Sequence, residues 1–212
     1  MPANAIGLLG GTFDPIHYGH LRPARTAMQA LGLDCVRVIP AFQPPHRALP
    51  IASPAHRLQM ARLACAEFPG FVPDDCELRR GGPSYTVDTL TSLRAEYGND
   101  ASLCWLVGAD AFAAMDSWRD AKHLFDLAHF IVLARPGSAT LAPPDWLRAR
   151  ITADATAIQA RSHGSVLVLD VAQQDISASA IRARLARGES VTGLLPQAVS
   201  RYLHAHHLYE SH

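Results

Sequence analysis

Two histidines, His17 and His20, close a string of mostly small residues, Gly10-Gly11-Thr12-Phe13-Asp14-Pro15-Ile16-His17-Tyr18-Gly19-His20. The string follows an apolar run, Ala5 to Leu9, that reads as a buried strand. A strand that empties into Gly-Gly-Thr brings bare backbone N–H groups to the start of a helix, a place that suits an anion. In a tight turn opening that helix, both imidazoles can face one pocket. Donors placed there stabilise charge developing on phosphoryl oxygens during an in-line displacement. Their ordinary pKa near ~6.5 makes their protonation responsive to a bound polyanion. A His-x-x-His pair can also be half of a metal site, but no further ligands stand at recognisable spacing.

A second group of anion-binding residues lies late in the chain. Ser177 and Ser179 offer hydroxyls and free N–H groups at a helix start, and Arg182 follows one turn on. Taken alone, this is equally an ordinary serine cap with a solvated arginine. His46 and Arg47 follow two prolines in a loop, which reads as a phosphate contact or as an exposed polar turn. Arg135 stands just past a strand end. Trp118 sits among polar neighbours, Asp116-Ser117-Trp118-Arg119-Asp120, where its flat face suits a ring as well as partial burial. Thr86 starts a helix after Ser84 and Tyr85 and offers donors to a carboxylate. Gly108 permits close approach after a strand, and Asp110 is a ligand contact or a helix cap.

These residues must be held by a regular frame. Strands are expected at Ala5 to Leu9, Cys35 to Ile39, Phe71 to Leu78 (weaker), Leu103 to Val107, Phe130 to Ala134 and Val166 to Leu169. Helices are expected at Leu21 to Leu31, Pro54 to Phe68, Thr86 to Tyr97, Ser179 to Arg187 and Pro196 to His206. Near-continuous apolar strands alternating with helices imply an α/β fold: a Rossmann-like, doubly wound parallel sheet with helices on both faces and a small helical C-terminal part over about 176–212. Ligands in such folds bind beyond the carboxyl ends of the strands, where the unusual residues fall. The 212 residues are expected to form one domain.

Bulk properties exclude several classes. Nineteen basic residues balance nineteen acidic ones, so no global field points to nucleic acid or an anionic membrane. The four cysteines, Cys35, Cys65, Cys76 and Cys104, form no Cys-x-x-Cys pair and read as reduced, mostly buried thiols of a cytoplasmic protein. No secretory leader and no bilayer-spanning segment is expected. His204, His206 and His207 read as a solvated face or tail.

The Gly10-to-His20 string resembles the signature of the HxGH-type nucleotidyltransferases. The chain is most similar to the nicotinate-nucleotide adenylyltransferases among them. Further segments agree in order: Pro44-Pro45-His46-Arg47, Pro83 to Leu90, Gly108-x-Asp110 with Trp118, Ala134-Arg135-Pro136-Gly137 and Ile176-Ser177-Ala178-Ser179-Ala180-Ile181-Arg182. Two departures are mild. Arg47 stands where lysine is common, and Ser179 where threonine is common.

The resemblance implies adenylyl transfer from ATP to nicotinate mononucleotide, with Mg²⁺ carried on the ATP and few or no protein ligands to it. His17, His20 and Arg182 would be catalytic. Gly10, Gly11, Thr12, Phe13, Gly108, Asp110, Ile176, Ser177 and Ser179 would join them in holding ATP. His46, Arg47, Ser84, Tyr85, Thr86, Trp118 and Arg135 would hold the mononucleotide. Three alternatives stay open: the same transfer to nicotinamide mononucleotide or another phosphorylated acceptor, a non-catalytic nucleotide sensor of the same fold, and a metal-dependent hydrolase.

Overall fold

Apolar strands of this kind need cover on both faces, and a computed structural model shows how the chain supplies it. The structure describes residues 4–45, 49–135, 145–172 and 175–210. The strands are β1 (Ala5–Gly11), β2 (Cys35–Pro40), β3 (Phe71–Pro73), β4 (Ser102–Gly108), β5 (His129–Ala134), β6 (Ile151–Thr152) and β7 (Val166–Asp170). They form one sheet in the order β3-β2-β1-β4-β5-β7-β6. Every pairing in it is parallel.

The helices are α1 (Tyr18–Leu31), α2 (Pro54–Cys65), α3 (Cys76–Arg80), α4 (Thr86–Tyr97), α5 (Ala109–Ala113), α6 (Leu124–Leu127), α7 (Asp145–Arg148), α8 (Thr156–Ala160), α9 (Ala178–Ala186) and α10 (Gln197–Ala205). Strand alternation divides the core in two. Leu9, Leu106 and Ile131 pack with Leu21, Met60, Ile181 and Val199 from α1, α2, α9 and α10. Leu8, Trp105 and Phe130 face the other way, toward Leu90, Phe112 and Phe125 from α4, α5 and α6. The doubly wound arrangement is therefore present. The strand order reverses at β1, between β2 and β4, which opens a crevice beyond their carboxyl ends. Among the described residues no helix is long and apolar enough to cross a membrane.

Two expected elements differ. The strand expected over Phe71 to Leu78 stops at Pro73, and Cys76–Arg80 is helical instead. Proline has no N–H for the ladder, and the next residue, the buried Asp74, accepts from the Cys76 N–H at 2.9 Å and turns the chain. The first helix begins at Tyr18, not Leu21, so His17 becomes its N-cap. The two-residue β6 and the short helices α3, α5, α6, α7 and α8 carry too few residues for a periodic signal.

At the end of the sheet away from the crevice, a buried arginine gathers loop carbonyls. Arg94 donates to Ala101 at 2.7 Å, Gly98 at 3.0 Å and Ser162 at 3.1 Å, and also to Leu127. Nearby, His129 is fully buried. Its Nδ1 accepts from the Ser165 N–H at 3.1 Å and its Nε2 faces the Arg161 carbonyl at 3.0 Å, so Nε2 carries the proton of a neutral ring. Burial pushes its pKa down to about 4 from 6.5. Between those values the unfolded chain takes up a proton that the folded ring refuses. Stability is therefore full above pH 6.5 and declines as pH falls toward 4, by up to about 3 kcal/mol for this group. Thermal melts across this range should show that slope, and His129→Gln, which cannot titrate, should show a shallower one.

Candidate active site

The site begins where β1 ends. Gly10 and Gly11 still belong to the strand, and Gly11 pairs with Pro40. Neither takes a positive φ; that conformation falls on Phe13, at 52°. The glycines are needed for room. A Cβ on Gly10 would meet the Trp105 ring at 2.6 Å, and one on Gly11 would meet the Phe13 ring at 2.7 Å. Their absent side chains thus serve ring packing from opposite sides of the strand, a reason the phosphate-cradle reading did not contain. The helix itself opens only at Tyr18, after a six-residue loop of 12–17.

That loop is clamped from below. Arg57 on α2 is fully buried, and its guanidinium donates to the carbonyls of Thr12 at 2.8 Å, Phe42 at 3.0 Å, Ala52 at 3.2 Å and also Ala41. One cation therefore ties the loop after β1 to the loop after β2. Asp14 adds a second tie. Its carboxylate is buried and accepts from the N–H groups of Ile51 at 2.9 Å and Ala52 at 3.0 Å, and from the Tyr209 hydroxyl at 2.6 Å. Arg57 carries no sequence signal, and nothing in the sequence ties Tyr209 to Asp14. Arg57 sits beside an apolar helical stripe with partners that are all backbone carbonyls, and Tyr209 lies 195 residues from Asp14.

His17 and His20 come together as expected. Their rings stack at 3.7 Å with 26° between planes, and Phe13 meets His20 edge-on at 5.2 Å. The His17 N–H points at His20 Nδ1 at 3.3 Å, a long bond that makes Nδ1 the acceptor and leaves the proton on Nε2. His17 is 4% exposed, and burial lowers its pKa to about 4. It is therefore neutral near pH 7, not the responsive cation that its ordinary pKa suggests. Its Nδ1 is buried with no hydrogen-bond partner among the described residues.

The late serine group docks against this pair. Ser177 caps α9, accepting from the Ala180 N–H at 3.2 Å, and its hydroxyl lies 3.2 Å from that of Ser179. Arg182 Nη1 donates to the Asp14 carbonyl at 2.7 Å and stands 3.9 Å from its carboxylate. Gly19 is the point of closest approach. A Cβ there would lie 2.9 Å from His17 Nδ1 and 3.0 Å from the Ile176 carbonyl. The Tyr18 N–H also bonds the Leu194 carbonyl at 3.0 Å. Two helix N-termini, 160 residues apart in the chain, thus meet at one glycine.

The other expected residues spread along the rim. Gly108 ends β4 and Asp110 lies in the first turn of α5; both are exposed. Tyr85 caps α4 under the Arg119 guanidinium at 4.8 Å, and Thr86 starts that helix. The Ser84 hydroxyl is occupied: it accepts from Phe42 N–H at 2.8 Å and Gln43 N–H at 3.3 Å, fastening the loop after β2 to the start of α4. Trp118 is half-buried against the core and, with Trp146, Asp116 and Lys122, walls a cleft of about 620 Å³. Arg135 is exposed just past β5, 3.9 Å from Asp175. His46 and Arg47 lie outside the described residues.

Comparison with known proteins bears on the family and the fold. The family model described as Cytidylyltransferase-like matches residues 8–184. A relative from Aeromonas salmonicida is 46% identical over 97% of both chains, and one from Halorhodospira halophila is 46% identical over 93% of this chain and 92% of its own. Both carry the name "Probable nicotinate-nucleotide adenylyltransferase". The fold is similar to Plasmodium falciparum nicotinic acid mononucleotide adenylyltransferase complexed with NaAD, with a TM-score of 0.72 at 16% identity over 97% of each chain. The same enzyme complexed with APC gives 0.70 at 16% identity and the same coverage.

Gly19→Ala tests the docking of the two helix starts. The methyl would push against both His17 and the Ile176 carbonyl, and misplacement of this kind should weaken ATP binding by about tenfold or more, read by calorimetric titration. Unchanged binding would show that the approach at Gly19 does not matter to the ligand.

Proposed function

We infer, from the premise that the chain belongs to the Cytidylyltransferase-like family, that it transfers the adenylyl group of ATP to nicotinate mononucleotide, a step in NAD biosynthesis. One observation carries this reading: the stacked His17 and His20 abut a second anion-binding helix start that bears Arg182. A single phosphate needs only one such terminus. Two that share an edge suit a chain of phosphates.

An acceptor phosphate oxygen attacks the α-phosphorus of ATP. The new P–O bond forms as the bond from that phosphorus to the β-bridging oxygen breaks, and pyrophosphate leaves with the electron pair. The attacking oxygen is already anionic near neutral pH, so no protein nucleophile and no covalent intermediate are required. The protein positions the two substrates and stabilises charge. His20 faces the reacting phosphate as a hydrogen-bonding imidazole. His17, held neutral by burial, takes part as a neutral hydrogen-bonding group. Gly10, Gly11, Thr12 and Phe13 shape the cradle. Ser177, Ser179 and Arg182 receive the leaving pyrophosphate, with Ile176 backing them, while Arg47 is assigned to the mononucleotide. Gly108 and Asp110 border the adenosine side.

Mg²⁺ enters as part of the substrate, carried on the triphosphate. The one carboxylate of the loop, Asp14, is already engaged by Ile51, Ala52 and Tyr209, so it offers a metal no open ligand. For the acceptor, Trp118 supplies a flat face to the pyridine ring. The start of α4 at Tyr85 and Thr86 supplies donors to the carboxylate, and His46 and Arg135 contact its phosphate. Ser84 contributes by holding the loop after β2 in place.

Two measurements test the reading. Pyrophosphate release with ATP should be at least about tenfold faster with nicotinate than with nicotinamide mononucleotide, and equal rates would sink the acceptor assignment. His20→Ala should lower turnover by about a hundredfold or more, since its donor acts on charge that develops in the transition state. A variant with normal turnover would remove His20 from the mechanism.

A further inference from the structure

The last residues of the described chain do something that surface tails do not. α10 ends in a turn in which the Leu208 N–H bonds back to the Leu203 carbonyl at 2.9 Å, with His207 in the left-handed region at φ 50°. Glycine normally takes that place. Tyr209 is also left-handed, at φ 67°. Two side-chain-bearing residues in a disfavoured conformation within three positions store strain, and the surroundings must over-determine it. They aim one side chain inward. The Tyr209 hydroxyl donates to Asp14 Oδ1 at 2.6 Å, across a sequence separation of 195 residues. Leu208 and Tyr209 both pack on the core that underlies α1, α2 and α9.

Asp14 is the junction of the site. Its carboxylate receives the backbone of Ile51 and Ala52, and its carbonyl receives Arg182. Arg182 Nη1 is thereby fixed, which leaves its other guanidinium edge to meet a phosphate. Burial and the Asp14 charge both push the pKa of the Tyr209 phenol up, so the hydroxyl is a donor at any working pH.

We propose that Tyr209 is a positioning residue for the pyrophosphate-leaving side of the reaction, acting through Asp14 on Arg182. The C-terminal turn is then part of the catalytic apparatus, although it touches no substrate. The inference rests on the adenylyl-transfer reading above.

Tyr209→Phe removes only the hydroxyl. It should lower kcat by about tenfold and weaken inhibition by inorganic pyrophosphate by a similar factor, while the KM for the acceptor stays within about twofold. The melting temperature should move by no more than about 2 °C. Val199→Ala is the companion variant. It removes buried bulk from α10 and leaves the C-terminal turn and its phenol in place, so it should lower the melting temperature and leave kcat, assayed well below that temperature, within about twofold. Wild-type kcat and pyrophosphate affinity in Tyr209→Phe would overturn the proposal. So would a loss of turnover that tracks the melting temperature equally in both variants, since that is what a merely structural tail predicts. If the wild-type chain releases no pyrophosphate with any acceptor, the functional reading fails instead. Calorimetric binding of inorganic pyrophosphate to wild type and Tyr209→Phe then still decides the role of the hydroxyl.

Discussion

A fully buried guanidinium organises this site. Arg57 lies in the core with no exposed atom to hydrate it, a placement that is costly for any cation unless its donors are filled. They are filled by carbonyls from the loops after β1 and β2, which have no regular structure to satisfy them. The exchange works both ways. The arginine is tolerated because the loops surround it, and the loops have one shape because the arginine offers a rigid fork of donors. Desolvation lowers its pKa, and the nearby Asp14 charge opposes that shift.

Asp14 links this buried layer to the chemistry above it. Its side chain holds the segment before α2 and meets the C-terminal tyrosine, while its backbone carbonyl holds Arg182. The same loop ends in His17 and leads into α1, which carries His20. A shift of the loop would therefore move the histidines and the arginine together. That coupling suits a reaction in which attacking and leaving groups must stay in line. It also explains why a substituent at Gly19, where the two helix starts touch, has nowhere to go.

The two ends of the sheet use the same device for different ends. Arg94 gathers carbonyls at the far end much as Arg57 does near the crevice. Beside Arg94 lies a buried neutral histidine, His129, with both ring nitrogens bonded. The loop that Arg57 holds ends in another, His17, whose Nδ1 has no hydrogen-bond partner among the described residues. A satisfied buried histidine is structural. His17 sits instead at the N-cap of α1, packed against the His20 ring.

Much was legible without coordinates. The period of the apolar runs implied a parallel sheet covered on both faces, because strands buried on two sides must be apolar throughout. The Gly10-to-His20 string and the Ser177-to-Arg182 group marked two helix starts, because small residues, hydroxyls and capping serines gather where helices begin. The short elements around α5 and β6 were illegible, since they hold too few residues for periodicity to register. What only the tertiary structure decided is how these pieces meet. Gly10 and Gly11 make room for Trp105 and Phe13, Ser84 is a clasp, His17 is neutral, and Arg57 and Tyr209 hold the loop after β1. Each of these depends on contact between segments far apart in the chain or on burial. Residue type and local spacing report what a side chain can do; packing sets which partner it finds and how much water it keeps.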